Sequence, residues 1–196
     1  MRLPSALDLL AKTPILCLTG ALCLLIPLTM AGTLAPLGGT AGLVEIQLTP
    51  DAETYTEIVR AWGPAGRQGL AQHFSGDFIY MLAYALCGLG LLHRLARPRH
   101  PSSAAAQSAP GQSPPGVLQR LAAHLVPLPA AIAVTDLAET LFHGLLLANW
   151  ESPSPTLVTL AFGLNVIKWS LAGILLLLLL MLVSARAARA ARSPRS

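Results

Sequence analysis

The chain has 196 residues, 54% of them hydrophobic and only 11% charged, with a formal net charge of +4. A soluble domain carries about a quarter charged residues, so this chain has too little charge to cover a water-facing surface and reads as a lipid-facing protein. Its positive excess sits beside apolar runs and aromatic residues make up 5%; without a basic patch interleaved by aromatics, nucleic acid is not expected as a partner.

A membrane-spanning helix needs about 20 mostly apolar residues. The first such run covers residues 14–38 and holds no charge. It is longer than a signal-peptide core, and no A-x-A site follows that core, so an uncleaved span is expected. Residues 39–75 form a loop with its own signals. Leu43–Leu48 shows a short β-like alternation. Thr49-Pro50-Asp51-Ala52-Glu53 offers an N-cap candidate, a proline at N1 and acids in a first turn, predicting a helix to about Trp62 that breaks at Gly63-Pro64. A second short helix is expected to lead into the next span. This loop is expected to be ordered and to cap one face of the bundle.

The second span is expected at about 76–95, opening with Asp77 and closing in His93, Arg94, Arg97 and Arg99. Residues 98–116 are rich in Pro, Ser, Ala, Gln and Gly and read as a disordered linker. The third span is expected at about 121–150, kinked near its start by Pro127 and Pro129. The fourth covers about 155–185, with an unbroken leucine run at 175–180, and a basic tail follows at 186–196. The expected fold class is all-α, a four-helix transmembrane bundle with a partly ordered extracellular loop.

Orientation follows from the cations. Arg2, Lys12, Arg94, Arg97, Arg99, Arg120, Arg186, Arg189, Arg192 and Arg195 fall on one side; Arg60 and Arg67 fall on the other; Lys168 lies inside a span. This asymmetry places both termini and the 98–116 linker in the cytoplasm. The three cysteines, Cys17, Cys23 and Cys87, lie in apolar segments without a CxxC. They read as small buried hydrophobes, and quinone-linked disulfide chemistry lacks a reacting pair.

Ionisable residues inside spans are costly and usually face the bundle interior. The third span carries Asp136, Glu139 and His143, within a sector of about 60°, joined by Thr140. The fourth carries Asn165 and Lys168, three apart and on one face. The second carries Asp77, Tyr80 and Tyr84 on one face, continued by the small residues Cys87 and Gly88. Helix rise puts Glu139 about 15 Å and Lys168 about 18 Å from the outer ends of their spans. Lysine and carboxylate at one level should pair, because either alone would have to neutralise. These eight residues form the candidate polar pocket, with Arg67 as a loop candidate. The bland alternative is that the cluster ties three helices together.

Glu139-x3-His143 and His73-x3-Asp77 have ligand-like spacing, but Lys168 would repel a metal ion and no HExxH is present. Paired histidines near the span ends, His93 with His124 and His73 with His143, read as interfacial rather than haem ligands. No cofactor is expected.

Gly63-Pro64-Ala65-Gly66-Arg67, Asp77 with Tyr84, Asp136-Leu137-Ala138-Glu139 and Lys168-Trp169 resemble the pattern of a loosely defined set of small uncharacterised four-span integral membrane proteins. That pattern has a Gly-x-x-Gly-Arg turn, Asp and Tyr in span two, Asp-x-x-Glu-Asn in span three and Lys in span four. Thr140 departs from it. The resemblance implies the same architecture and the same residues, and no activity. Three functions remain open at this point. The site binds a small amphiphile or lipid headgroup, or supports a membrane protein partner. It is an intramembrane enzyme on a lipid-like substrate, with Asp136 and Glu139 as acid and base and Lys168 holding an anion. Or it is a proton-coupled carrier, against which stand the small number of spans and the lack of an inverted repeat.

Overall fold

The computed structural model describes residues 5–97 and 117–192. A short helix α1 (Ala6–Leu10) leads into α2 (Thr13–Leu34), a 3-10 turn (Ala35–Leu37), α3 (Thr40–Gln47), α4 (Ala52–Ala96), α5 (Val117–His124), α6 (Leu128–Ala148) and α7 (Pro155–Arg192). Four stretches are long and apolar enough to cross a membrane: Thr13–Leu37, Ala52–Ala96, Val117–Ala148 and Pro155–Ala188. The protein is an all-α, multi-pass membrane bundle.

The loop between the first two spans is helical throughout. Its Leu43–Leu48 alternation does not become a strand: residues 40–47 form α3, entered through Gly38 and Gly39 at φ 84° and 78°. Six alternating residues cannot by themselves distinguish the two periods. A helix satisfies its own backbone beside a bilayer, where a lone strand would not. The helix that follows is capped by Asp51, not Thr49. The Asp51 carboxylate accepts from Thr54 N–H at 2.8 Å, while Thr49 Oγ1 donates to Glu45 O at the end of α3. That N–H holds the exposed Asp51 carboxyl below its usual pKa.

Within α4 the chain bends at Gly63, whose φ of 64° is left-handed, followed by Pro64. Only glycine takes that conformation cheaply, and proline lacks the N–H that a continuous helix would need. Residues 52–62 therefore lie across the end of the bundle and residues 64–96 run through it. The second span's helix thus begins well before residue 76. The third span is divided as its prolines require, with α5 and α6 separated by a turn at Leu125–Pro127.

Residues 64–96, α6 and α7 form the packed centre, and α2 stands at the edge. Among the described residues no Cα of α2 comes within 8 Å of α6 or α7, whereas α2 packs along the length of α4. Glycines on α4 permit that approach: a Cβ at Gly69 would strike the Thr33 carbonyl, and one at Gly90 the Leu10 carbonyl. Small residues drive such close contacts in membranes because lipid offers no hydrophobic gradient between helices.

The bundle has two ends. At the loop end, Ile46, Tyr55, Val59, Leu146, Val158 and Ala161 join α3, residues 52–62, α6 and α7 into one cluster. At the opposite, arginine-bearing end, Leu92, Leu95, Ala122, Leu178 and Leu182 join α4, α5 and α7. The linker expected at 98–116 falls outside the described residues, as does the end of the basic tail.

Candidate functional site

Lys168 projects from α7 between two acids of α6. Its Nζ donates to Asp136 Oδ1 at 2.9 Å and makes an ion pair with Glu139 Oε2. The spacing of Asp136 and Glu139, three apart on one helix, aims both at one cation. Tyr84 of α4 donates its hydroxyl to the other oxygen of Asp136, Oδ2, at 2.9 Å. Tyr80 packs edge-on against Tyr84, with ring centroids 5.3 Å apart. One chain of contacts therefore links α4, α6 and α7 at mid-depth.

Asp77 extends this chain toward the loop end. It interacts electrostatically with Asp136, Glu139 and Lys168. Its Oδ2 lies 3.6 Å from His73 Nε2, and His73 Nδ1 lies 3.4 Å from Thr33 Oγ1 of α2. His143 sits one turn beyond Glu139, its Nε2 3.8 Å from Glu139 Oε1. The imidazole lies beside Tyr55, nearly parallel to it, and beside Phe74, each with centroids 6.1 Å away. Asn165 donates Nδ2 to Gln47 O at 3.2 Å, tying α7 to the end of α3.

Seven of the eight pocket candidates thus fall on one continuous cluster: Asp77, Tyr80, Tyr84, Asp136, Glu139, His143 and Lys168. Asn165, one helical turn from Lys168, faces the loop instead. Arg67 is not part of the cluster; its guanidinium stacks 4.5 Å over the Trp150 ring and pins α4 to the turn after α6. Sequence reasoning missed Tyr55 and Phe74, which wall in His143. Tyr55 lies on the helix expected to cap the bundle, but its depth depends on how that helix lands.

The cluster is fully buried at one side and partly exposed at the other. Glu139 and His143 are 1% and 2% exposed, under residues 52–62. The Asp136 and Asp77 side chains keep 17% and 21% of their exposure. Tyr80 lies near Cys23 of α2 while its neighbour Tyr84 reaches Asp136 of α6. The tyrosine pair thus bridges α2 and α6. Toward the loop end, Leu34 of α2, Phe74 of α4 and Leu147 of α6 share one apolar cluster. Below Tyr84 the bundle becomes apolar, with Gly88 against Pro129 and then the leucine cluster.

The cysteines are not all solitary. Cys87 Sγ lies beside Gly20 of α2, and the Cys23 and Cys87 thiols are hydrogen-bond neighbours. A thiol pair that no CxxC could announce is therefore built across two helices. Cys17 is exposed. Among the described residues no group of three or more His, Cys, Asp or Glu converges as metal ligands would. His93, weighed as a haem ligand, instead bonds Asp8 at 3.1 Å.

No family model matches the chain, and neither a curated protein nor a solved structure matches it.

Proposed function

We propose that this chain is a membrane protein with both termini and the 98–116 linker in the cytoplasm, whose polar cluster receives the headgroup of a small amphiphile or lipid from within the bilayer. The orientation rests on the cation asymmetry of the sequence. The binding reading rests on one observation: two carboxylates, Asp77 and Asp136, remain partly exposed beside the buried Lys168–Glu139 ion pair. A charged side chain facing hydrocarbon costs at least about 2.5 kcal/mol on insertion scales. A headgroup held at Asp77 and Asp136 offsets that cost.

An alternating-access carrier is less well supported, since the polar path stops at Asp136 and the arginine end is packed with leucine. An enzyme on a lipid-like substrate keeps one specific support. Tyr84 and Lys168 both donate to Asp136, a run of consecutive hydrogen bonds of the kind that acid–base catalysis uses.

The test is native mass spectrometry of the full chain in mild detergent. Wild type retains a bound amphiphile, and Asp136→Asn and Tyr84→Phe lose it while keeping a cooperative melt. A wild-type protein that carries none, and whose melting temperature ignores a lipid panel, overturns the proposal.

A further inference from the structure

Headgroup binding makes no use of Cys23 and Cys87, and the pairing of their thiols stands apart from it. Helix rise from Thr13 puts Cys23 about 15 Å into the first span, and rise back from Ala96 puts Cys87 about 14 Å into the second. Both therefore lie near the middle of a hydrocarbon core of about 30 Å. The two helices pack closely along this depth. A Cβ on Gly20 would lie 4.0 Å from Cys87 Sγ, one on Gly76 would lie 2.8 Å from Met30 Sδ, and one on Gly69 would strike the Thr33 carbonyl. Gly20 and Cys23 share one face of α2, so Cys87 Sγ meets the face from which Cys23 projects. The two thiols are hydrogen-bond neighbours.

Two thiols in contact are the reduced form of a disulfide, whose S–S bond of about 2.05 Å needs only a short further approach. Both side chains keep partial exposure. At mid-depth that exposure is toward apolar surroundings, which a charged, water-borne oxidant such as oxidised glutathione does not enter. An oxidant dissolved in the bilayer does.

We infer that Cys23 and Cys87 are a redox site at which a bilayer-dissolved quinone closes a disulfide between α2 and α4. Two S–H bonds break and one S–S bond forms. Two electrons and two protons pass to the quinone, which leaves as hydroquinone. A dithiol reverses the step by thiol–disulfide exchange. Oxidation adds a covalent tie to the helix at the edge of the bundle, whose Cα atoms, among the described residues, approach α4 but neither α6 nor α7. The tie lies beside the tyrosine pair, since Tyr80 is near Cys23 and Cys87 is one turn from Tyr84.

The experiment takes the full chain in mild detergent, reduced with dithiothreitol and freed of reductant under nitrogen. Either decylubiquinone, whose fully substituted ring cannot add to a thiol, or oxidised glutathione is then supplied. Intact mass, and maleimide labelling after denaturation, read the result. With the quinone, wild type is expected to lose two hydrogens and two of its three free thiols, and proteolysis to release a peptide joining Cys23 to Cys87. The melting temperature should rise by about 5 °C. Oxidised glutathione should act on the order of tenfold more slowly, because exchange depends on access. Cys17→Ser is expected to behave as wild type, and Cys23→Ser and Cys87→Ser to lose both the bond and the thermal shift. The wild-type mass and labelling decide the matter even where a variant fails to fold. Three thiols still free after the quinone, or a disulfide that includes Cys17, overturn the site. Equally fast oxidation by glutathione overturns the bilayer-dissolved oxidant. Bound amphiphile is measured independently of all these outcomes, so this inference and the binding reading fail separately.

Discussion

At the arginine end, the helices meet leucine on leucine, and the polar groups at its margin have partners in reach. Arg186 donates to the carbonyls of Arg94, Leu95 and Arg97 at 2.8, 2.8 and 3.0 Å, closing the C-terminus of α4. Asp8 accepts from His93 at 3.1 Å, pairs with Arg97, and completes a capping box with Ser5. At the loop end the reverse holds. A glutamate, a histidine, an asparagine and a tyrosine are buried, and each has an oxygen or nitrogen without a hydrogen-bond partner. One half of the molecule is arranged for stability. The other departs from those rules around Lys168, as functional sites do.

The contrast can be broken most forcefully at Lys168. Lys168→Ala leaves Asp136 and Glu139 buried together, so a loss of about 3–5 kcal/mol is expected. The triple variant with Asp136→Asn and Glu139→Gln should lose less than Lys168→Ala alone, because the uncompensated charges are gone. Thermal unfolding in detergent decides it, and additive effects would remove the ion pairs from the centre of this account.

Leu182→Ala is the matching probe of the arginine end. Its side chain is 1% exposed, and a cavity there should cost about 2–5 kcal/mol. Because the two sites share no partner, Leu182→Ala and Lys168→Ala should add to within about 0.5 kcal/mol. Strong coupling between them in the same unfolding measurement would mean that the halves are not independent.

Tyr55→Phe sharpens the comparison in the opposite direction. The Tyr55 hydroxyl is buried with no partner, so removing it from delipidated protein should raise stability by about 1 kcal/mol. A loss of stability would reveal a bond that the geometry does not show.

The smallest effect is expected at α1. The hydrogen bond from His93, with help from Ser5 and Arg97, holds the Asp8 carboxyl near a pKa of about 2, below its ordinary 3.8. A lowered folded pKa means that α1 docking is fully supported above pH 3.8 and lost as pH falls through about 2. Spin labels at Leu9 and Leu82 should move apart across that window and stay fixed at higher pH. No change on acidification would detach α1 from Asp8.

Much of this architecture was legible along the chain, because hydropathy, helical period and proline chemistry are local. Four apolar runs specify four spans, Gly63-Pro64 breaks the helix that follows the loop, and Pro127 and Pro129 divide the third span. The face shared by Asp136 and Glu139 follows from 3.6 residues per turn. What the sequence could not contain is the choice of neighbours. Between helices in lipid no hydrophobic gradient selects a partner, so contact depends on where small residues let two backbones meet. For that reason only the folded chain shows that Lys168 holds both acids and that Tyr84, not Asp77, bonds Asp136. The same reason brings Cys23 beside Cys87, and packs α2 on α4 through Gly69 and Gly90 rather than along α6 or α7.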